Sequence, residues 1–271
     1  MRAGPPAVGR RSGVEFAARY VALGDSFTEG VGDVDPALPN RVRGWADRLA
    51  GQLAATRDGF GYANLAVRGK KMRQILAEQI EPALALEPTL VTVYAGVNDL
   101  LRPRVDIDAM VAAYDDAVAR LAATGATVLL FTGFDASASK VFRGVRGRTA
   151  VYNELVREVA DRHGAQLVDY WRFDEYNDWR MWDVDRMHMS TPGHVNMANR
   201  VLEALGEEAR LPLPPLPAAP ARTRLDGWRD NARWARSYAG PWVGRRLRGV
   251  SSGDNLAPRW PDLHAPAGPG H

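Results

Sequence analysis

Tyr20-Val21-Ala22-Leu23-Gly24-Asp25-Ser26-Phe27-Thr28-Glu29-Gly30 is the stretch on which the fold turns. Four apolar residues suit a buried strand, and Gly24 ends it. A serine follows at once, in a turn whose glycines permit close backbone approach. The same alternation continues downstream. Gly44 to Thr56 sets Trp45, Leu49 and Leu53 at helical spacing, and Tyr62 to Val67 is a second strand. Met72 to Leu86 is a helix interrupted near Pro82. Leu90 to Tyr94 is a β-branched run ending at Gly96. Met110 to Ala123 is a helix closed by Gly125, and Val128 to Phe131 is a fourth strand. Thr149 to His163 is a helix stopped by Gly164, and Gln166 to Tyr170 is a fifth strand. Pro192 to Leu205 is the last helix of the series, with Thr191 as N-cap and Pro192 at its first position.

Strands alternating with helices predict an α/β protein whose sheet is covered on both faces. Each gap is long enough for a parallel crossover, which needs about a dozen residues. The expectation is a central parallel sheet of about five strands, with chemistry in the turns after their carboxyl ends.

The 271 residues hold no cysteine. That excludes a thiol nucleophile, a disulfide framework and a thiolate zinc site together. Net charge is +3, but residues 221–250 hold eight Arg against Asp226 and Asp230, a local +6. The remainder therefore carries −3, and a nucleic-acid partner is not expected. Met1 to Arg19 has Arg2, Arg10 and Arg11 without an apolar run after them, so no signal peptide is read and a cytoplasmic location is expected. Residues 1–18 read as a loose lead-in, 19–210 as the main domain, 211–220, with five prolines, as a stiff linker, and 221–271 as an Arg- and Trp-rich extension.

A serine hydroxyl needs a base before it attacks a carbonyl, and the oxyanion it makes needs donors. The second strand ends at Val67-Arg68-Gly69, where Gly69 offers a bare N–H. The third ends at Gly96-Val97-Asn98-Asp99, where Asn98 offers a side-chain amide. Asp185-Arg186-Met187-His188 precedes the last helix, and a carboxylate three residues before an imidazole can fold back onto its Nδ1.

These blocks, in this order over residues 19–205, resemble the SGNH hydrolases, or GDSL-type esterases and lipases. Gly24-Asp25-Ser26-Phe27 matches the first block, with Phe27 in place of Leu. Gly69, with Asn64 in the strand before it, matches the second. Gly96 to Asp99 matches GxND, and Asp185 to His188 matches DxxH. The resemblance implies a flavodoxin-like three-layer α/β/α sandwich. It implies Ser26, Asp185 and His188 as a catalytic triad, and Ser26, Gly69 and Asn98 as the oxyanion hole. It implies carboxylic ester hydrolysis through an acyl-enzyme, on a small-molecule acyl ester, with no cofactor and no metal. Met189 stands where the family often has Pro or Leu after the histidine. The GxSxG elbow of α/β-hydrolases is absent.

Alternatives stand beside this reading. The same acyl-enzyme passed to a non-water acceptor makes an acyltransferase, and a vestigial site makes a non-catalytic binding module. His163 sits at a helix C-terminus, where a cation is favoured. His194 is six residues from His188, which is not a zinc spacing, and Asp183 rivals Asp185. Arg68, Lys70 and Lys71 are either a solvated loop or an attraction for anions. Trp171, Phe173, Tyr176, Trp179 and Trp182 either line a pocket or cover the core. The extension is expected to pack on the body as an extra helix; membrane-surface contact and partner binding remain open.

Overall fold

In the computed structural model, which describes residues 15–139, 142–216, 218, 224–248 and 250–268, strand β1 (Ala18–Gly24) runs through the middle of the sheet. It pairs in parallel with β2 (Phe60–Asn64) on one side and β3 (Leu90–Tyr94) on the other. Beyond β3 lie β4 (Thr127–Phe131) and β5 (Gln166–Val168), both parallel. Beyond β2 lies β6 (Trp260–His264), antiparallel to it, with Tyr62 opposite His264. The order is β5-β4-β3-β1-β2-β6. The chain leaves β1 towards β2 and then returns to β3 on the far side. The carboxyl ends of β1 and β3 therefore flank a topological switch point, where such sheets bind ligands.

Period-two alternation divides β1 between two cores. Tyr20 and Ala22 join Tyr62, Leu129 and Phe131 against α2 (Trp45–Ala54) and α7 (Thr191–Ala204). Val21 and Leu23 join Val91, Val93 and Leu130 against α3 (Met72–Ala85), α5 (Ile107–Ala122) and α6 (Arg146–His163). Three layers result. Short helices α1 (Ser26–Glu29) and α4 (Val97–Leu100) open directly after β1 and β3. The extension folds as α8 (Arg224–Trp234), a π-helical stretch Ala235–Ala239 and α9 (Gly240–Leu247), and then supplies β6. Among the described residues no helix is long and apolar enough to cross a membrane.

Several differences from the sequence reading have local causes. The sheet has six strands and is mixed, because the extension returns to its open edge. Pro261 is tolerated there since an edge strand leaves N–H positions unpaired. β2 ends at Asn64, whose Oδ1 accepts the Ala66 N–H (3.0 Å), while the Leu65 and Val67 N–H groups still reach the Ala22 and Gly24 carbonyls of β1 (2.9 and 3.3 Å). β5 stops at Val168; the Trp171 N–H donates to Thr132 Oγ1 (2.9 Å), and Tyr170–Arg172 coils into a 3-10 turn. The cap of α7 is Ser190, not Thr191, whose hydroxyl donates to Asp33 (2.7 Å). Pro82 lies inside α3 without ending it. Residues 1–14 of the expected lead-in, and 217 and 219–220 of the expected linker, lie outside the described residues.

Candidate active site

The turn carrying Ser26 is held from below. Gly24 has φ +149, and a Cβ there would lie 2.6 Å from both Thr28 Oγ1 and the Tyr94 carbonyl oxygen. Buried Gln79 of α3 accepts the Gly24 N–H (2.8 Å) and donates to the Gly24 carbonyl (2.9 Å). One amide side chain thus reaches both backbone groups of Gly24, whose carbonyl also accepts the Val67 N–H (3.3 Å). Asp25 caps α1, accepting the Phe27 N–H at 3.1 Å. Ser26 is the first helical residue, a position whose N–H has no partner within the helix. Phe27 stacks on Tyr94 at 4.0 Å and packs against Phe131 and Tyr170, which fixes the turn over the core.

Asn98, at the carboxyl end of β3, donates through Nδ2 to Asp25 Oδ2 (2.9 Å) and to the Lys70 carbonyl (3.1 Å). It therefore ties the serine turn to the Gly69 turn. Burial pushes the Asp25 carboxyl up to about 7; the Phe27 amide and the His188 charge offset only part of that. Asp99 accepts the Met72 N–H (2.9 Å) at the start of α3, a structural use.

The Asp185–His188 turn is closed by an antiparallel bridge between Trp182 and Met189 and by the Asp183 N–H donating to the His188 carbonyl (2.8 Å). Arg186 sits at φ +57, uncommon for a residue with a side chain, and this reverses the chain. Asp185 Oδ1 accepts the Met187 and His188 N–H groups at 2.9 and 3.0 Å, and Oδ2 lies 2.6 Å from His188 Nδ1. With Nδ1–H donating to the carboxylate, Nε2 is the ring atom that can accept a proton. Burial pushes the Asp185 carboxyl up, but the hydrogen bonds and charge of His188 outweigh it and hold the group below the usual carboxylate range. Asp183 donates its N–H to the His188 carbonyl, and burial pushes its carboxyl up.

His194 and His163 have structural partners. His194 is fully buried; it accepts the Trp45 N–H at Nδ1 (3.2 Å), and its Nε2 lies 3.1 Å from the Val31 carbonyl. Burial lowers it to about 4, so the ring is neutral. His163 pairs with Asp115 at 2.6 Å.

Ser26, Asn98 and His188 line one cavity of about 110 Å³, together with Phe134, Trp182 and Met189. Asp185 stands behind His188, out of that lining. Gly69 does not line the cavity either. It lies at φ +77 between Arg68 and Lys70, and a Cβ there would lie 1.9 Å from Ser251 Oγ. Arg68 is tied to the fully buried Glu29 by its N–H (2.6 Å) and its guanidinium (2.7 Å). Lys70 pairs with Glu78 at 2.6 Å. The basic residues around Gly69 thus hold the loop together.

Sequence reasoning missed Gln79, Glu29 and the extension's share of the site. The Trp234 Nε1–H donates to the Asp185 carbonyl (2.7 Å), and Trp242 lines the cavity that Ser26 and His188 share. A second cavity of about 660 Å³ lies between the extension and the loops around Phe142 and Trp179; it shares Phe134, Phe142 and Trp182 with the first. The aromatic loop splits accordingly. Tyr176 is buried and donates to the Gly193 carbonyl (2.8 Å), Trp182 walls both cavities, and Trp179 is exposed.

A serine turn and an Asp–His pair converging on the switch point of a flavodoxin-like sheet define a hydrolase of the serine type. Residues 22–196 match the model of the GDSL-like lipase/acylhydrolase family, and the chain belongs to that family. It is a carboxylic ester hydrolase. Its fold is similar to LAE5, an alpha/beta hydrolase enzyme from the metagenome of Lake Arreo, Spain (26% identity, TM-score 0.59, covering 70% of this chain and 96% of that one). It is similar to Axe2, an acetylxylan esterase from Geobacillus stearothermophilus (21%, TM-score 0.60, 72% and 97%), and to TesA (22%, TM-score 0.55, 69% and 97%). No curated protein matches the chain in sequence.

Proposed function

We propose that Ser26, His188 and Asp185 form the catalytic triad and that the enzyme removes short acyl groups from a larger, polar alcohol. The observation that carries the triad is the 2.6 Å Asp185–His188 contact, with His188 lining the same cavity as Ser26 and Asn98. His188 Nε2 takes the Ser26 hydroxyl proton as Oγ bonds to the acyl carbon. The negative charge moves to the former carbonyl oxygen, which the Ser26 N–H receives, joined by Asn98 Nδ2 when it turns from Asp25 or the Lys70 carbonyl and by the Gly69 N–H when its turn closes on the cavity. Collapse breaks the ester C–O bond, and the His188 proton goes to the leaving oxygen. Water then attacks the acyl-enzyme, gives its proton to His188, and releases the acid and Ser26.

Cavity size supports a short acyl group. The catalytic cavity of about 110 Å³ is smaller than a cavity of ~150 Å³ that takes one benzene. The adjoining 660 Å³ space is within the range of small-molecule sites, ~300–1,000 Å³. Its wall mixes aromatic faces (Trp179, Trp182, Tyr238) with planar polar groups (Asp183, Asn177, Arg233). A ring bearing hydroxyls meets both, whereas an acyl tail would strand the polar groups. Resemblance to an acetylxylan esterase supports the same direction.

A panel of 4-nitrophenyl esters from acetate to octanoate, with acetylated sugars beside them, tests this reading. Acetate is expected to lead the acyl series, and Ser26→Ala is expected to lower kcat by roughly 10⁴-fold or more. Unchanged turnover in Ser26→Ala would sink the triad, and a maximum at octanoate would sink the short-acyl assignment.

A further inference from the structure

We infer that the C-terminal segment from Arg224 to Ser251 is a working wall of the active site, in which Trp234 positions the Asp185–His188 turn and Trp242 limits acyl length. The inference rests on the triad reading above. The family match ends at residue 196, and about 30% of this chain has no counterpart in LAE5, which is itself covered almost whole. The segment lies beyond the family match, and three of its contacts fall on the site.

The first is on the turn that carries the acid. Trp234 Nε1–H donates to the Asp185 carbonyl at 2.7 Å. Arg186, the next residue, donates to Asn231 Oδ1 at 2.7 Å and lies over the Trp234 ring at 5.2 Å. Arg186 holds the turn's positive φ, a conformation that persists only where surroundings fix it. The Asp185 carboxylate reaches His188 Nδ1 only while its other oxygen takes the Met187 and His188 N–H groups, which requires that same turn. The tryptophan and asparagine of α8 thus hold both sides of the peptide link on which the acid's aim depends. The second contact is Trp242 of α9, which lines the cavity with Ser26 and His188. The third is Ser251, whose hydroxyl donates to the Arg68 carbonyl (3.2 Å) beside Gly69. Trp234 and Trp242 thus spend their aromatic surface on the site, which disfavours the membrane-surface use that composition left open.

Trp234→Phe in the full chain tests the positioning role, because it keeps the ring under Arg186 and removes only the N–H. With 4-nitrophenyl acetate, kcat is expected to fall about five- to tenfold with KM unchanged. The downfield ¹H resonance of the His188 Nδ1–H, read without any substrate, shifts or broadens, while Tm stays close to that of the parent. An unchanged resonance with unchanged kcat would overturn the inference, as would a fall in Tm with normal turnover per folded molecule. The resonance also separates this inference from the triad reading: if the parent has no Ser26-dependent turnover, the triad reading fails while the resonance still reports on the turn. For Trp242→Ala, the ratio of kcat/KM for the hexanoate ester to that for acetate is expected to rise at least tenfold. A ratio equal to the parent's would remove Trp242 from the wall.

Discussion

Asp25 is buried beside Ser26, accepts hydrogen bonds from Phe27 and Asn98, and is raised by desolvation to about 7. The folded protein holds the Asp25 proton more tightly than the unfolded chain does. That contribution to stability is complete below the ordinary carboxylate value, near pH 4, and is lost as pH rises through about 7. Asp25→Asn keeps an acceptor for the Phe27 N–H and cannot ionise. Its Tm relative to the parent is expected to rise by a few degrees between pH 4 and pH 8; a gap independent of pH would contradict the account. At this scale much of the site was legible. Asp185 and His188 lie three residues apart, so their pairing is local, and Ser26 and Asn98 each follow a readable strand. Glu29 was quoted in the opening stretch, but its work is on Arg68, 39 residues away, and no spacing rule reaches that far.

The peptide of Gly24 shows what an element's end requires. Its N–H and carbonyl both find Gln79 on α3, and the carbonyl accepts the Val67 N–H as well. Gln79→Leu strands the buried Gly24 N–H and is expected to cost ~1–3 kcal/mol in urea denaturation, the range for one unsatisfied group. A loss under 1 kcal/mol would mean that water serves the peptide instead. The signal for Gln79 was present, since it shares the buried face of α3 with Ile75 and Ala83. A glutamine on an apolar stripe marks a buried polar contact, although nothing in its pattern names the partner. The strands were the most legible elements because period two shows in a short run. Their ends were less so, since the Asn64 and Thr132 side chains take the Ala66 and Trp171 N–H groups just past β2 and β5.

For the whole molecule, the five parallel strands and their layers were readable from alternation, but the sixth strand was not. Trp260-Pro261-Asp262-Leu263-His264 is short, contains a proline, and follows a stretch whose charge drew the attention. Its place depends on an open edge left by β2 far upstream. Arg259, just before β6, is buried and donates to the Glu29 carbonyl (2.7 Å), the Arg43 carbonyl (2.6 Å) and the Pro39 carbonyl (3.2 Å), and pairs with Asp47. It locks the chain's end to the helix that carries Ser26. Arg259→Ala leaves the Asp47 carboxylate without its partner and is expected to destabilise by ~3–5 kcal/mol, read as a fall in Tm. A Tm within a degree of the parent would mean that the extension is not latched there.

The most direct measurement is peptide mapping after treatment with a 4-nitrophenyl phosphonate, which transfers its phosphonyl group to an activated serine and releases 4-nitrophenolate. The triad account predicts one adduct, on the peptide carrying Ser26, with esterase activity lost in step and with labelling abolished in His188→Ala. Activity that persists while Ser26 stays unmodified, or an adduct formed at another serine, would contradict it.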